Sequence, residues 1–178
     1  MIRIFLIGFM GSGKTTIGKI LAERLGWSFV DMDAFIEKKY FKTITQLFEE
    51  KGEQGFREIE HQVLVELSEF EHTIISTGGG APCFYNNIEI MTTKGTCVYL
   101  QLSIEELLAR LQSGKAERPL ISNKNAEELY TYIEQTLSIR EPFYRKASFT
   151  IDCTKKSITE VTALILTNIE TKNSSVIH

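Results

Sequence analysis

Residues 8–15 read Gly-Phe-Met-Gly-Ser-Gly-Lys-Thr, and they stand between a short apolar run and an amphipathic one. Upstream, Ile2, Ile4, Phe5, Leu6 and Ile7 form the β-branched pattern of a strand buried on both faces. Downstream, Ile17, Ile20, Leu21 and Leu25 recur at helical spacing, and Gly26 stands where a left-handed residue ends a helix. The N-terminal part of the chain is therefore a strand, a glycine-rich turn and a helix.

That turn matches G-x-x-x-x-G-K-[ST], and the flanking strand and helix are the setting the pattern requires. Glycines let the backbone curl so that consecutive N–H groups converge on phosphate oxygens, with the partial positive charge of the helix N-terminus behind them. The candidate nucleotide-binding residues are Gly11, Ser12, Gly13, Lys14, Thr15 and Thr16. Lys14 would reach the β- and γ-phosphates, and the Thr15 hydroxyl would ligate Mg²⁺. A chance match in a chain of this length is on the order of 1 in 100 at ordinary glycine frequency, so phosphate binding outweighs an incidental turn.

Further short strands are expected at 28–32, 73–77, 96–102 and 149–152. Helices are expected at 34–40, 44–50, 56–70, 104–111 and 126–140, the last stopped by Pro142, with a closing helix after Ser157. Ser103 with Glu106 and Ser157 with Glu160 have capping-box spacing. Residues 112–125 carry no sustained apolar periodicity and read as an exposed loop, a candidate lid. Strands alternating with helices imply parallel pairing through right-handed crossovers, hence an open sheet covered on both faces. The 178 residues, 43% apolar and 24% charged, fit a single domain over 1–170 with a polar tail at 171–178.

Charge narrows the partners. A net charge of −3 with scattered lysines and arginines gives no field for a nucleic-acid backbone. The apolar opening run is too short for a membrane span, and it lacks the basic start and cleavage site of a leader. Cys83, Cys97 and Cys153 are odd in number and lack metal-ligand spacing, which fits reduced thiols in a cytoplasmic protein. The compact size favours a monomer.

Three classes of phosphate-cradle protein compete. A guanine-reading switch needs N-K-x-D, and the nearest string, Asn123-Lys124-Asn125-Ala126, lacks the Asp. A motor ATPase needs a strand ending in an acidic residue, whereas the run 73–77 ends in Gly78, Gly79 and Gly80. A kinase for a small acceptor remains. Asp31 and Asp33 lie at the carboxyl end of the second strand, where open α/β sheets bind ligands, and alternation in an extended segment would aim both the same way. An incidental pair, with Asp33 capping the next helix, is the plainer reading. Arg57 and Glu60 share a helical face, and Arg140 stands at a helix end.

Together, residues 8–15, Asp31-Met-Asp33, Gly55-Phe56-Arg57 with Glu60, Gly78-Gly79-Gly80, Arg118-Pro119-Leu120, and Arg140 with Tyr144 resemble the shikimate kinases in order and spacing, over about residues 1–165. The resemblance implies a three-layer αβα sandwich around a five-stranded parallel sheet, of the nucleoside monophosphate kinase-like kind. It implies transfer of the ATP γ-phosphate to the 3-hydroxyl of shikimate, with one Mg²⁺ ion accompanying the nucleotide. By position, Asp33 would be the base, Asp31 would sit near Mg²⁺ through water, and Arg57 and Arg140 would clamp the acceptor carboxylate. The substrate-binding region would span about 33–61, Gly79 and Gly80 beyond it would offer N–H groups to the substrate, and Glu60 would orient Arg57. Phe48 and Phe56 would wall the ring or belong to the core. Arg118 in the lid would meet the phosphates, Pro119 and Leu120 would help close it, and Arg110 would contact adenine. On the far side of adenine, where many members carry a basic pair followed by a proline, this chain has Asp152-Cys-Thr-Lys-Lys-Ser-Ile158, without the proline. The runners-up are a gluconate or nucleoside monophosphate kinase and a non-catalytic nucleotide-binding module.

Overall fold

The computed structural model describes residues 3–113, 121 and 123–174, the last three by backbone alone. Strands β1 (Arg3–Ile7), β2 (Ser28–Asp31), β3 (Thr73–Ser76), β4 (Thr96–Gln101) and β5 (Phe149–Asp152) alternate with helices. These are α1 (Lys14–Leu25), α2 (Met32–Tyr40), α3 (Ile44–Leu67), α4 (Asn87–Lys94), α5 (Ile104–Ser113), α6 (Ala126–Tyr144) and α7 (Ile158–Ser174). The sheet is parallel throughout in the order β2-β3-β1-β4-β5.

That order explains the patterning. Strands β1 and β3 lie inside the sheet under helices and are buried along their whole length, while β2 forms an edge and stays half exposed. From β1 the chain builds β2 and β3 on one side, then crosses to β4 and β5 on the other. The crevice where the order reverses therefore lies at the carboxyl end of β1. Register puts its parts at one height: Leu6 pairs with Ser76 and Val98, and Ser76 pairs in turn with Asp31. The loops after β1 and β3 and the end of β2 all open on that edge.

The helices differ from the sequence expectation in four places. Helix α3 spans both expected segments because Gly52, at φ 67°, joins two helical pieces through a kink. A 3-10 turn, Ala81–Cys83, and the short α4 fill a stretch with no evident periodicity. Pro142 does not stop α6, which continues to Tyr144. In a last turn a proline removes only one helical hydrogen bond, and the fully buried Tyr144 ring anchors the remainder. Helix α7 continues to Ser174, past the expected start of the tail at 171, and buries Ile165 and Ile169.

Two caps behave differently. Ser157 and Glu160 form the reciprocal box. At Ser103 only half forms: its Oγ accepts from the Glu106 N–H, while the Glu106 carboxylate turns to the Lys155 N–H. Cys83, Cys97 and Cys153 are not joined by disulfides. Among the described residues no helix is long and apolar enough to cross a membrane.

Gly95, between α4 and β4, lets Arg3 cross beneath it. The Arg3 guanidinium donates to Phe70 O and Lys94 O, each at 2.9 Å. A Cβ on Gly95 would stand 2.6 Å from Arg3 Cγ and 2.8 Å from the Arg3 carbonyl oxygen, and backbone cannot swing aside. Gly95→Ala is expected to lower the unfolding free energy by about 1–3 kcal/mol in urea titration, the usual cost of overpacking. An unchanged midpoint would contradict the packing.

Candidate active site

The turn after β1 bends through positive φ at Gly8, Gly11 and Gly13. A Cβ at Gly8 would lie 2.7 Å from the Leu100 carbonyl oxygen, so glycine is needed there for close approach as well. Helix α1 starts at Lys14 with Gly13 as its cap and no side-chain acceptor, which leaves its first N–H groups for an anion. The buried Lys14 ammonium donates to Gly8 O and Phe9 O, each at 2.9 Å. Ser12 Oγ is buried without a hydrogen-bond partner.

Asp31 ends β2 and caps α2. Its Oδ1 accepts from the Asp33 and Ala34 N–H groups at 3.2 and 3.4 Å, while Oδ2 accepts from Thr15 Oγ at 2.8 Å. The helix begins at Met32, the expected last residue of the strand. Asp31-Met-Asp33 is therefore not an extended alternation, and Asp31 rather than Asp33 is the cap. A helical start swings Asp33 away from Asp31 and towards the loop after β3.

That loop gathers the other charged groups. A Cβ built on Gly78 would stand 2.9 Å from Asp33 Oδ1 and 2.8 Å from Glu60 Oε1. One on Gly79 would stand 3.3 Å from an Arg140 terminal nitrogen, and one on Gly80 would stand 2.7 Å from an Arg57 terminal nitrogen. Three consecutive glycines thus admit four charged side chains. Glu60, 2% exposed, accepts from Arg57 at 2.8 Å. Phe48, Phe56 and Phe84 flank the Arg57 guanidinium, with Phe84 nearest at 4.2 Å, and Arg57 Nε is buried without a hydrogen-bond partner among the described residues. Phe56 is core as well as flank, and Phe48 stacks on it. Arg140 lies over the Phe9 ring of the first loop at 5.9 Å, which joins the two halves of the crevice.

Tyr144, one turn beyond Arg140, donates from its hydroxyl to Gly79 O at 2.5 Å. Burial pushes that hydroxyl well above its ordinary pKa, so it remains a neutral donor. In a trans peptide the N–H points opposite the C=O, so this bond aims the Gly80 N–H the other way. Among the described residues neither the Gly79 nor the Gly80 N–H has a backbone acceptor.

Electrostatics follow from burial. Desolvation, reinforced by the Asp31 carboxylate, pushes the Asp33 carboxyl above its usual range, against the pull of Lys14. Burial also raises Glu60, with Arg57 opposing.

On the other flank of the first loop, Thr16, Ile17, Arg110, Cys153, Lys156 and Ile158 line a cleft. Arg110 donates to Gly11 O at 3.4 Å and pairs with Glu106 at 3.5 Å. Glu106 thus links the expected adenine contact to Lys155 in the segment after β5. Arg118, Pro119 and Leu120, with most of the expected lid, lie outside the described residues. Of the lid's remainder, Gln112 and Ser113 belong to α5, Ile121 is fully buried, and Asn125 caps α6.

Sequence reasoning missed Phe84, which carried no signal, and the hydroxyl contact of Tyr144, which stood in a quoted motif without a role. Of the expected acceptor-site residues, the structure brings Asp33, Arg57, Arg140, Gly79 and Gly80 together; Asp31 stays with Thr15 beside them.

Residues 10–170 match the family described as shikimate kinase. A shikimate kinase of Parabacteroides distasonis is 52% identical over 160 residues, covering 90% of this chain and 92% of that one. The crystal structure of shikimate kinase from Bacteroides thetaiotaomicron has a TM-score of 0.91 at 42% identity, over 95% of this chain and 98% of that one. Shikimate kinase from Acinetobacter baumannii in complex with shikimate has a TM-score of 0.87 at 39% identity, over 97% and 94%. The family match over residues 10–170, together with these identities over most of both chains, shows that the chain belongs to the shikimate kinase family.

Proposed function

We propose that this chain transfers the γ-phosphate of ATP to the 3-hydroxyl of shikimate, and that it does so as a cytoplasmic monomer. The observation that carries the reading is the convergence of Asp33, Arg57 and Arg140 on Gly78, Gly79 and Gly80, beside the turn that starts α1. Two guanidinium forks suit a planar carboxylate, and the unpaired Arg57 Nε supplies a donor that an acceptor anion would satisfy.

The nucleotide phosphates would lie across Gly11, Ser12, Gly13, Lys14, Thr15 and Thr16, with the base between Arg110 and the segment after β5. On phosphate binding Lys14 would exchange its two carbonyl partners for β- and γ-oxygens. Thr15 and Asp31 fit Mg²⁺, since both are hard oxygen donors already 2.8 Å apart. Among the described residues no group of three or more His, Cys, Asp or Glu could cage an ion, so phosphates and water would supply most of its coordination. Bound there, the ion would neutralise charge on the phosphate oxygens.

Asp33 has the geometry to accept a hydrogen bond from the acceptor hydroxyl. An alcohol is far less acidic than a carboxylic acid, so proton transfer before attack would be strongly uphill. Orientation comes first and the proton moves late, as a loose transition state allows. Arg118 would add positive charge over the phosphates once the lid closes. Shikimate-dependent ADP release, with gluconate and AMP as comparison acceptors, tests the reading, and activity with neither preference nor need for shikimate would refute it.

Asp33 binds a proton more tightly in the folded than in the unfolded chain. Its charge therefore costs stability at neutral pH, and that cost disappears as pH falls through the raised folded value. Asp33→Asn is expected to melt above wild type at neutral pH, by a gap that closes in acid, while kcat drops by at least about 10²-fold. Turnover near wild type would remove Asp33 from the chemistry.

Arg140→Ala is expected to weaken shikimate binding by about 2 kcal/mol or more, roughly 30-fold, with far less effect on ATP. Arg57→Ala should do the same and also lower stability, because it leaves Glu60 buried and unpaired. Normal acceptor binding by calorimetry in both variants would misassign the clamp.

A further inference from the structure

In the loop after β3, the carbonyls of Gly78, Gly79, Gly80 and Ala81 are each held. Gly78 O accepts from the Ala81 N–H at 3.2 Å and Gly80 O from the Cys83 N–H at 2.9 Å. Gly79 O accepts from Tyr144. The last carbonyl, Ala81 O, precedes Pro82 and so belongs to a peptide with no N–H. It accepts from Asn87 Nδ2 at 2.7 Å.

Asn87 is fully buried at the start of α4, and both ends of its amide are used. A carbonyl only accepts, so the amide nitrogen faces Ala81 and Oδ1 must face the other way. There it meets His61 Nδ1 at 2.6 Å, which fixes the proton on that nitrogen. The His61 ring is held in turn against Tyr85, at 4.9 Å between centroids. His61 follows Glu60 on α3, the residue that grips Arg57. A continuous path of hydrogen bonds thus runs from the helix of the acceptor clamp to the glycine loop.

We propose that Asn87, set by His61, is a positioning residue for the acceptor: it locks the loop presenting the Gly79 and Gly80 N–H groups to the helix presenting Arg57. The phosphate cradle lies outside this path, so losing the lock loosens acceptor binding and leaves ATP binding intact. The inference rests on the acceptor reading given above.

The test pairs His61→Leu with His61→Asn, because an asparagine amide nitrogen can stand where Nδ1 stands and donate to Asn87. His61 is half-buried and takes no part in the clamp, and Asn87→Ala gives a second break at the buried end. The Leu and Ala variants are expected to raise the KM for shikimate about tenfold, with the KM for ATP unchanged and His61→Asn close to wild type. Amide exchange at Ala81 and Cys83 should quicken in the same two variants. An unchanged shikimate KM, equal rises in both KM values, or a His61→Asn variant no better than His61→Leu would each overturn the lock. If the wild-type chain phosphorylates no shikimate, the acceptor reading falls instead, and amide exchange alone decides the lock: quickening upholds it and unchanged rates refute it.

Discussion

Close approach of charged side chains to bare backbone governs this site. Gly78, Gly79 and Gly80 follow β3 where α2, α3 and α6 deliver Asp33, Glu60, Arg57 and Arg140, and a Cβ on Gly78 or Gly80 would push those side chains from their present positions. The glycines therefore set how near the three helices can come to the sheet edge. With the helices that near, water is displaced, and the two carboxyls are pushed up by desolvation. A buried ion pair such as Glu60 with Arg57 adds little net stability, yet breaking one partner is costly. Its value lies in geometry: Glu60 and the aromatic flanks hold the guanidinium flat before any ligand arrives.

The same economy appears on the nucleotide side, where groups that close the fold also shape the site. Asp31 caps α2 with one oxygen and fixes Thr15 with the other, so the end of β2 is tied to the first turn of α1. Tyr144 both anchors the last turn of α6 beyond Pro142 and turns the Gly79 carbonyl. Glu106 leaves its expected cap to hold Lys155, and so ties α5 to the segment after β5. A rigid frame results, consistent with catalysis by orientation.

Much of this was legible in the sequence because it depends on local signals. The strand, turn and helix of residues 3–25 follow from apolar periodicity and glycine spacing, and the remaining strands from short β-branched runs. What escaped depends on tertiary context. Pro142 reads as a stop because the buried anchor that outweighs it, Tyr144 against Gly79, joins residues far apart in the chain. Alternation misplaces the start of α2, since Asp31 turns the chain by accepting from the Asp33 and Ala34 N–H groups while Thr15 holds its other oxygen. Phe84 and Asn87 lie in a stretch without periodicity, and their roles arise from what the fold brings to them. Arg57 and Arg140 were recognisable through joint spacing with the other motifs, whereas an arginine alone signals nothing.

Charge balance constrains the order of events in the proposed reaction. Asp31, Asp33 and Glu60 offset Lys14, Arg57 and Arg140 within the crevice, which leaves the described site near neutrality before substrates enter. ATP and a carboxylate acceptor both add negative charge, and the crevice has low-dielectric walls that magnify repulsion between them. The unmet charge must be answered from outside the described frame. Mg²⁺ entering with the nucleotide and a cationic lid side chain would supply that answer. A frame already neutral by itself would thus hold both substrates only when those cations are in place, which would make phosphoryl transfer depend on them.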